Sequence, residues 1–202
     1  MVVRDRLGLN LLDLYDAVKL DAFAAAVLNG EHRTLASKIL SRLCRAGKAS
    51  RREFRVPGGH KFCYFQAAGR KPLGPEALAR ALTVANFCIY GGTPKLGAVA
   101  MRKTYSFMPV KGNDYCLIGE GLCLIKVDRG GDADRIVRRL RKLHLSLYHQ
   151  EGYRDLIQNE RFSVRVIVPS HSRADQLHHY LETSPSAYPV IPVVDDDLLE
   201  LT

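Results

Sequence analysis

Apolar positions recur along this chain with two different spacings, and each change of spacing marks an element. In the first part they follow helical spacing. "LLDLYDAVK" predicts a short amphipathic helix, and "LDAFAAAVLNG" predicts a second that is stopped by Asn29-Gly30. "HRTLASKILSRLCRAG" predicts a third, with Leu35, Ala36, Ile39, Leu40 and Leu43 on one arc and a stop at Gly47. The pattern then shortens, and "SRREFRV" and "KFCYFQ" flank the turn "PGGH" as a strand hairpin. Turn formers cluster between Ala67 and Leu78 (Gly69, Pro72, Gly74, Pro75). They predict a boundary between an N-terminal domain over 1–68 and a C-terminal domain over 75–202.

The second part alternates strands and helices. "GPEALARALTVANFCIYGG" predicts a helix with Pro75 near its first position and Gly91-Gly92 after its end. Three strands are expected next, around "AVAMRKTYSF", at "DYCLIG" and at "GLCLIKVD", the last two joined by Gly119-Glu120-Gly121. A long helix from Asp132 to about Tyr148 and a short one through "YRDLIQN" follow. A strand at "RFSVRVIVP", a helix at "SRADQLHHYLE" and a last strand at "AYPVIPVV" complete the order, with the acidic "VVDDDLLEL" expected to continue as a strand, turn and helix. This α-βββ-α-β-α-β order predicts an α/β layer fold with a mixed sheet.

Charge adds a direction. The formal net charge of +9 favours an anionic partner, with nucleic acid first and an anionic membrane surface second. The apolar runs are too short and too interrupted for a membrane span, and no leader pattern opens the chain, so a cytoplasmic protein with no membrane partner is expected. The five cysteines are odd in number and never spaced C-x-x-C, which argues against a disulfide framework and a zinc site and predicts small core residues. His178-His179 and the scattered His144, His149 and His171 lack metal-ligand spacing.

The third helix carries the clearest binding signal. Opposite its apolar arc lie Thr34, Ser37, Lys38, Ser41, Arg42 and Arg45, with Arg33 at its start. Arginine and lysine reach guanine edges and phosphates, and hydroxyls take phosphate oxygens. The hairpin adds Arg51, Arg52, Arg55, His60 and Lys61, as a DNA-contacting wing would. Helix order, turn lengths and hairpin together predict a winged helix-turn-helix that binds double-stranded DNA; a solvated basic face is the alternative.

In the second part, a helix, three strands, a helix and a strand is the core order of restriction-endonuclease-like folds. Their chemistry needs carboxylates converging on Mg²⁺, a hard ion that takes oxygen ligands and polarises the scissile phosphate. Asp114 opens "DYCLIG", and Asp128 ends "GLCLIKVD" just before Gly130-Gly131. At these residues the chain resembles the bacterial replication-relaxation proteins of plasmids and other mobile elements, which join a winged helix domain to a nuclease-like domain. The resemblance rests on the leucine- and arginine-rich third helix, on "LARALTVANFCI", on Asp114 and on the strand end "VDRG", and runs from roughly Leu20 to Leu198. It implies a role in replication or transfer, with a replication initiator or relaxase as partner.

Two positions depart from the family pattern: Asn113 replaces a proline, and Lys126 replaces the strand-end glutamate. A lysine ammonium donates and cannot ligate a metal while charged. Three readings stay open at this tip: a turn into the next helix with Asp132 as its N-cap, a decayed nuclease site kept for DNA binding, and a working endonuclease. No cofactor is expected, and Mg²⁺ enters only with the endonuclease. The following helix sets Ile136, Leu140, Leu143 and Leu147 against an outer arc of Arg135, Arg138, Arg139, Arg141 and Lys142, a second surface suited to phosphates. The expectation is a DNA-binding protein of a mobile element with a non-catalytic C-terminal domain. An active endonuclease and a transcription regulator with a dimerising or sensing C-terminal domain are the alternatives, and a homodimer stays open.

Overall fold

The structure, a computed structural model, describes residues 3–30, 32–56, 60–128 and 130–195. Among these it is mixed α/β, with eight helices, a three-stranded antiparallel sheet and a five-stranded mixed sheet. The chain divides into two compact units, the first extending to Thr93 and the second beginning at Pro94.

The first unit opens with α1 (Val3–Leu14), then β1 (Val18–Lys19), α2 (Leu20–Leu28) and α3 (Arg33–Arg45). The expected first helix over "LLDLYDAVK" is thus displaced: the helix starts earlier, and Val18-Lys19 leave it to pair with Phe65 and Tyr64. Gly8 sits inside α1 because α2 crosses there; a Cβ at Gly8 would meet the Phe23 ring at 2.7 Å. Asn29, in the left-handed region at φ 53°, ends α2, and Gly47 (φ 65°) ends α3, both at the expected stops. The hairpin is β2 (Ala49–Arg55) and β3 (Lys61–Ala67), and the sheet order is β1-β3-β2.

Helix α4 (Pro75–Tyr90) begins with proline in its first turn, as expected, but it belongs to the first unit. Its Leu78, Ala79 and Leu82 pack with Ala17 and Tyr64, and Phe54 and Phe62 lie against this cluster. The division therefore falls after Thr93, not between 68 and 75. The turn-rich segment before α4 is stitched to the core: Arg70 donates to Asp13 O (2.7 Å), Tyr15 O (3.2 Å) and the Asp16 carboxylate (2.7 Å).

In the second unit, β4 (Lys95–Leu96) precedes α5 (Ala98–Thr104), so the strand expected around "AVAMRKTYSF" is a helix. Gly97 leads into α5, Met101 alone is buried, and Val99 faces solvent at 79% exposure, so the alternating apolar pattern was not that of a strand. The remaining elements fall close to expectation: β5 (Asp114–Ile118), β6 (Gly121–Val127), α6 (Ala133–Leu147), α7 (Glu151–Gln158), β7 (Phe162–Val168), α8 (His171–Thr183) and β8 (Val190–Val194). The sheet runs β4-β5-β6-β7-β8, antiparallel through β6 and parallel from β6 to β8. Leu122, Leu124, Val164, Val166 and Val168 share one core with Val137, Leu140 and Leu147 of α6 and Leu177 of α8. The continuation expected for "VVDDDLLEL" beyond Asp195 lies outside the described residues.

Candidate nucleic-acid interface

Helix α3 has the two faces its sequence prescribes. Ala36, Ile39, Leu40 and Leu43 are buried, and Arg33, Thr34, Ser37, Lys38, Ser41 and Arg45 are exposed. Arg33 forms an exposed ion pair with Asp21 (3.1 Å). Arg42 departs from the expected role. Its guanidinium embraces the Asp5 carboxylate of α1 with two hydrogen bonds, Nε to Oδ2 at 3.1 Å and Nη2 to Oδ1. Asp5 is a buried carboxylate, so Arg42 is a tie between α1 and α3 rather than a residue held out for a ligand.

Register sorts the hairpin arginines. Arg51 pairs with Phe65, Arg55 with Lys61, and Arg52 with Tyr64, so alternation sets Arg51, Arg55 and Lys61 on one face and Arg52 on the other. Arg52 lies on the Tyr64 side and donates to Arg70 O at 2.9 Å. The Arg51 side forms a groove with α3, a hollow of about 670 Å³ whose lining includes Lys19, Asp21, Arg33, Ser37, Ser41, Cys44, Arg51, Lys61 and Cys63. A second hollow of about 370 Å³ at the start of α3 is lined by Arg4, His32, Arg33, Thr34 and Lys38. Lys19 and Arg4 escaped the sequence reading because neither lies on a patterned basic face; Lys19 rests its ammonium 5.1 Å from the centre of the Phe62 ring.

Arg51 is the hub of the groove floor. Its Nη2 donates to Cys63 Sγ at 3.0 Å, and the sulfur in turn raises the guanidinium above its ordinary pKa. Its backbone N–H and charge also act on Cys44, whose thiol burial nevertheless pushes up. Cys88, Cys116 and Cys123 are buried, as expected of core cysteines, whereas Cys44 and Cys63 are only half-buried.

Helix α6 keeps its basic residues outward: Arg135, Arg138, Arg139, Arg141 and Lys142 are exposed, and Ala133, Val137, Leu140 and Leu147 are buried. Arg138 is engaged by Asp132 (3.2 Å) and Asp134 (2.7 Å). Asp132 caps the helix, accepting from the Asp134 N–H at 3.1 Å, as its position predicts.

The strand tip does not assemble an acid cluster. Asp114 pairs with Ile125 and Tyr115 with Leu124, so Asp114 shares a face with Ile125, while Lys126 and Asp128 continue the face of Leu122 and Leu124. On its face Asp114 is ion-paired with Lys95 at 3.1 Å, both side chains nearly buried. On the other, Asp128 accepts from Arg173 Nε of α8 at 2.5 Å and from the Gly130 N–H at 3.1 Å. Lys126 donates to Asn113 Oδ1 at 2.5 Å. Glu120 lies at the far end of β6, roughly 20 Å away at strand rise. Mg²⁺ needs converging oxygen ligands, and this arrangement gives each carboxylate a cation of its own, so these residues do not fit the ion. Among the described residues no group of three or more His, Cys, Asp or Glu side chains is placed to hold a metal, and no helix is long and apolar enough to cross a membrane.

No protein-family model, curated protein or solved structure matches the chain.

Proposed function

We propose that this chain is a duplex-DNA-binding protein whose first unit is a winged helix, with α3 as the recognition helix and the β2–β3 hairpin as the wing. The observation that carries the reading is the groove between them. Cations from four elements line it (Lys19 of β1, Arg33 of α3, Arg51 of β2 and Lys61 of β3), Ser37 and Ser41 lie beside them, and the one acid among its described lining residues, Asp21, is paired with Arg33. Such a surface places lysine and arginine against phosphates and presents side chains of α3 to base edges. The helix order α1-α2-α3 with a short β1 pairing to the hairpin supports the same assignment.

The second unit serves as a restriction-endonuclease-like domain without catalysis, adding backbone contact through the exposed arginines of α6 or docking a replication initiator or relaxase. Ion pairing of Asp114 and Asp128 with Lys95 and Arg173 supports a binding role over cleavage. In this reading the protein acts in plasmid or mobile-element replication or transfer. The test is a titration of labelled duplex and single-stranded DNA, with EDTA and with Mg²⁺. The expected result is duplex-preferring, salt-sensitive binding that Mg²⁺ does not convert into cutting. Absence of duplex binding overturns the reading, and Mg²⁺-dependent cleavage replaces it with the endonuclease.

A further inference from the structure

The second unit holds a pocket between α6 and the segment that joins α8 to β8. Its volume is about 170 Å³. An apolar cavity of about 150 Å³ takes up benzene, so there is room for one aromatic ring. Val137, Leu140, Leu181, Pro185 and Val190 supply apolar wall. The rings of Tyr188 and His144 complete it, 5.9 Å apart and tilted by 59°. Val137, Leu140, Arg141 and His144 follow helical spacing, so one face of α6 provides both wall and polar groups.

The polar groups are set for a ligand. Arg141 lines the pocket and, among the described residues, has no hydrogen bond or ion pair, unlike Arg138, which Asp132 and Asp134 hold. No Asp or Glu stands among the described lining residues, and Glu182, next to Leu181, is exposed outside the lining. A relay fixes the His144 tautomer. Tyr188 spends its one hydroxyl proton on Leu140 O (3.2 Å), so it accepts in its hydrogen bond with Tyr153. Tyr153 in turn accepts from His144 Nδ1 at 3.2 Å. Burial raises the pKa of both phenols and keeps them neutral. Nε2 is left with its lone pair on a ring that lines the pocket.

We propose that this pocket binds a one-ring aromatic carboxylate, with the carboxylate on Arg141 and a ring hydroxyl donating to His144 Nε2. The ring lies against the leucines and valines and meets the Tyr188 ring in an edge-to-face or offset contact. The guanidinium fork suits a carboxylate at the mouth, where Arg141 is exposed. The walls are fixed before a ligand arrives: Tyr188 is tied to Leu140 O, and Ser186 Oγ donates to Tyr188 O. The site lies within the second unit and stands whether or not the first unit binds DNA.

The experiment titrates the full chain with 3-hydroxybenzoate, benzoate, neutral benzamide and aliphatic hexanoate by calorimetry, with methyl NMR to locate the ligand. The expected result is benzoate binding about 10-fold tighter than benzamide, and 3-hydroxybenzoate several-fold tighter again. Shifts should centre on the methyl groups of Leu140, Leu181 and Val190. Arg141→Gln should erase the advantage of benzoate over benzamide, and His144→Phe should erase the advantage of the hydroxyl. His144 is tied to Tyr153, so if His144→Phe does not fold, the exposed Arg141→Gln and the ligand series on the unaltered chain decide the matter. Four results overturn the proposal: no binding at millimolar concentration, benzamide equal to benzoate, hexanoate equal to benzoate, or a carboxylate affinity that Arg141→Gln leaves unchanged. Methyl shifts confined to residues outside the pocket overturn it as well.

Discussion

Lys38 and Arg42 stand one turn apart on α3, yet their surroundings assign them different work. Lys38 is exposed beside Arg4 and Thr34, and Arg42 is committed to the buried Asp5. Replacing Arg42 with alanine should cost about 1–2 kcal/mol, a range discounted because Arg42 itself is half exposed, since Asp5 is left buried without its donors. Replacing Lys38 should change stability by less than about 0.5 kcal/mol while weakening DNA binding. Urea unfolding of both variants separates the two roles, and equal stabilities would contradict the assignment. At the strand tip, Asp128→Ala leaves the Arg173 guanidinium, 11% exposed, without its carboxylate and should cost about 3 kcal/mol. Lys126→Glu should bind no Mn²⁺ by calorimetry, because Asp114 keeps to the opposite face with Lys95 and Asp128 stays with Arg173. Tight Mn²⁺ binding by the folded variant would restore the decayed-site account.

Among the elements, α4 decides where the first unit ends. A fragment of residues 1–68 lacks the helix that covers Tyr64, Phe54 and Phe62, and it also loses the Arg70 clasp on α1. It should unfold at much lower denaturant than a fragment of residues 1–93, which circular dichroism in urea would show; equal midpoints would return the boundary to the proline-rich turn. The turn formers at 69–75 were legible as a turn, but their side-chain bonds back to α1 were not, because Arg70 reaches carbonyls more than fifty residues earlier in the chain. Local pattern did reveal α2, α3, the hairpin, α4 and every element from β5 to β8, whose caps and stops are written in neighbouring residues. It failed at α5, where one buried methionine anchors a short helix, and at β1, whose two residues become a strand only by pairing with β3. The candidate interface was legible as composition on α3. Its division between groove residues and ties was not, since the Arg42 bond to Asp5 and the face of Arg52 depend on distant partners and on register.

For the whole molecule, the proposed reading assigns a sequence-blind component of DNA binding to the net charge of +9 and to two surfaces, the α3–hairpin groove and the outward arginines of α6. Each phosphate contact adds about 0.9 to the slope of log affinity against log salt. A fragment of residues 1–93 should therefore bind duplex more weakly and with a shallower slope than the full chain, and an identical slope would assign α6 to protein docking instead. The α3–hairpin groove remains the central claim. Fluorescence anisotropy of a labelled duplex across a salt series, with the full chain and with the groove cations Lys19, Arg51 and Lys61 replaced together by alanine, tests it most directly. The account predicts a folded variant with markedly weaker binding and a slope lower by roughly 2 to 3. A folded variant that binds with unchanged affinity and slope would contradict it.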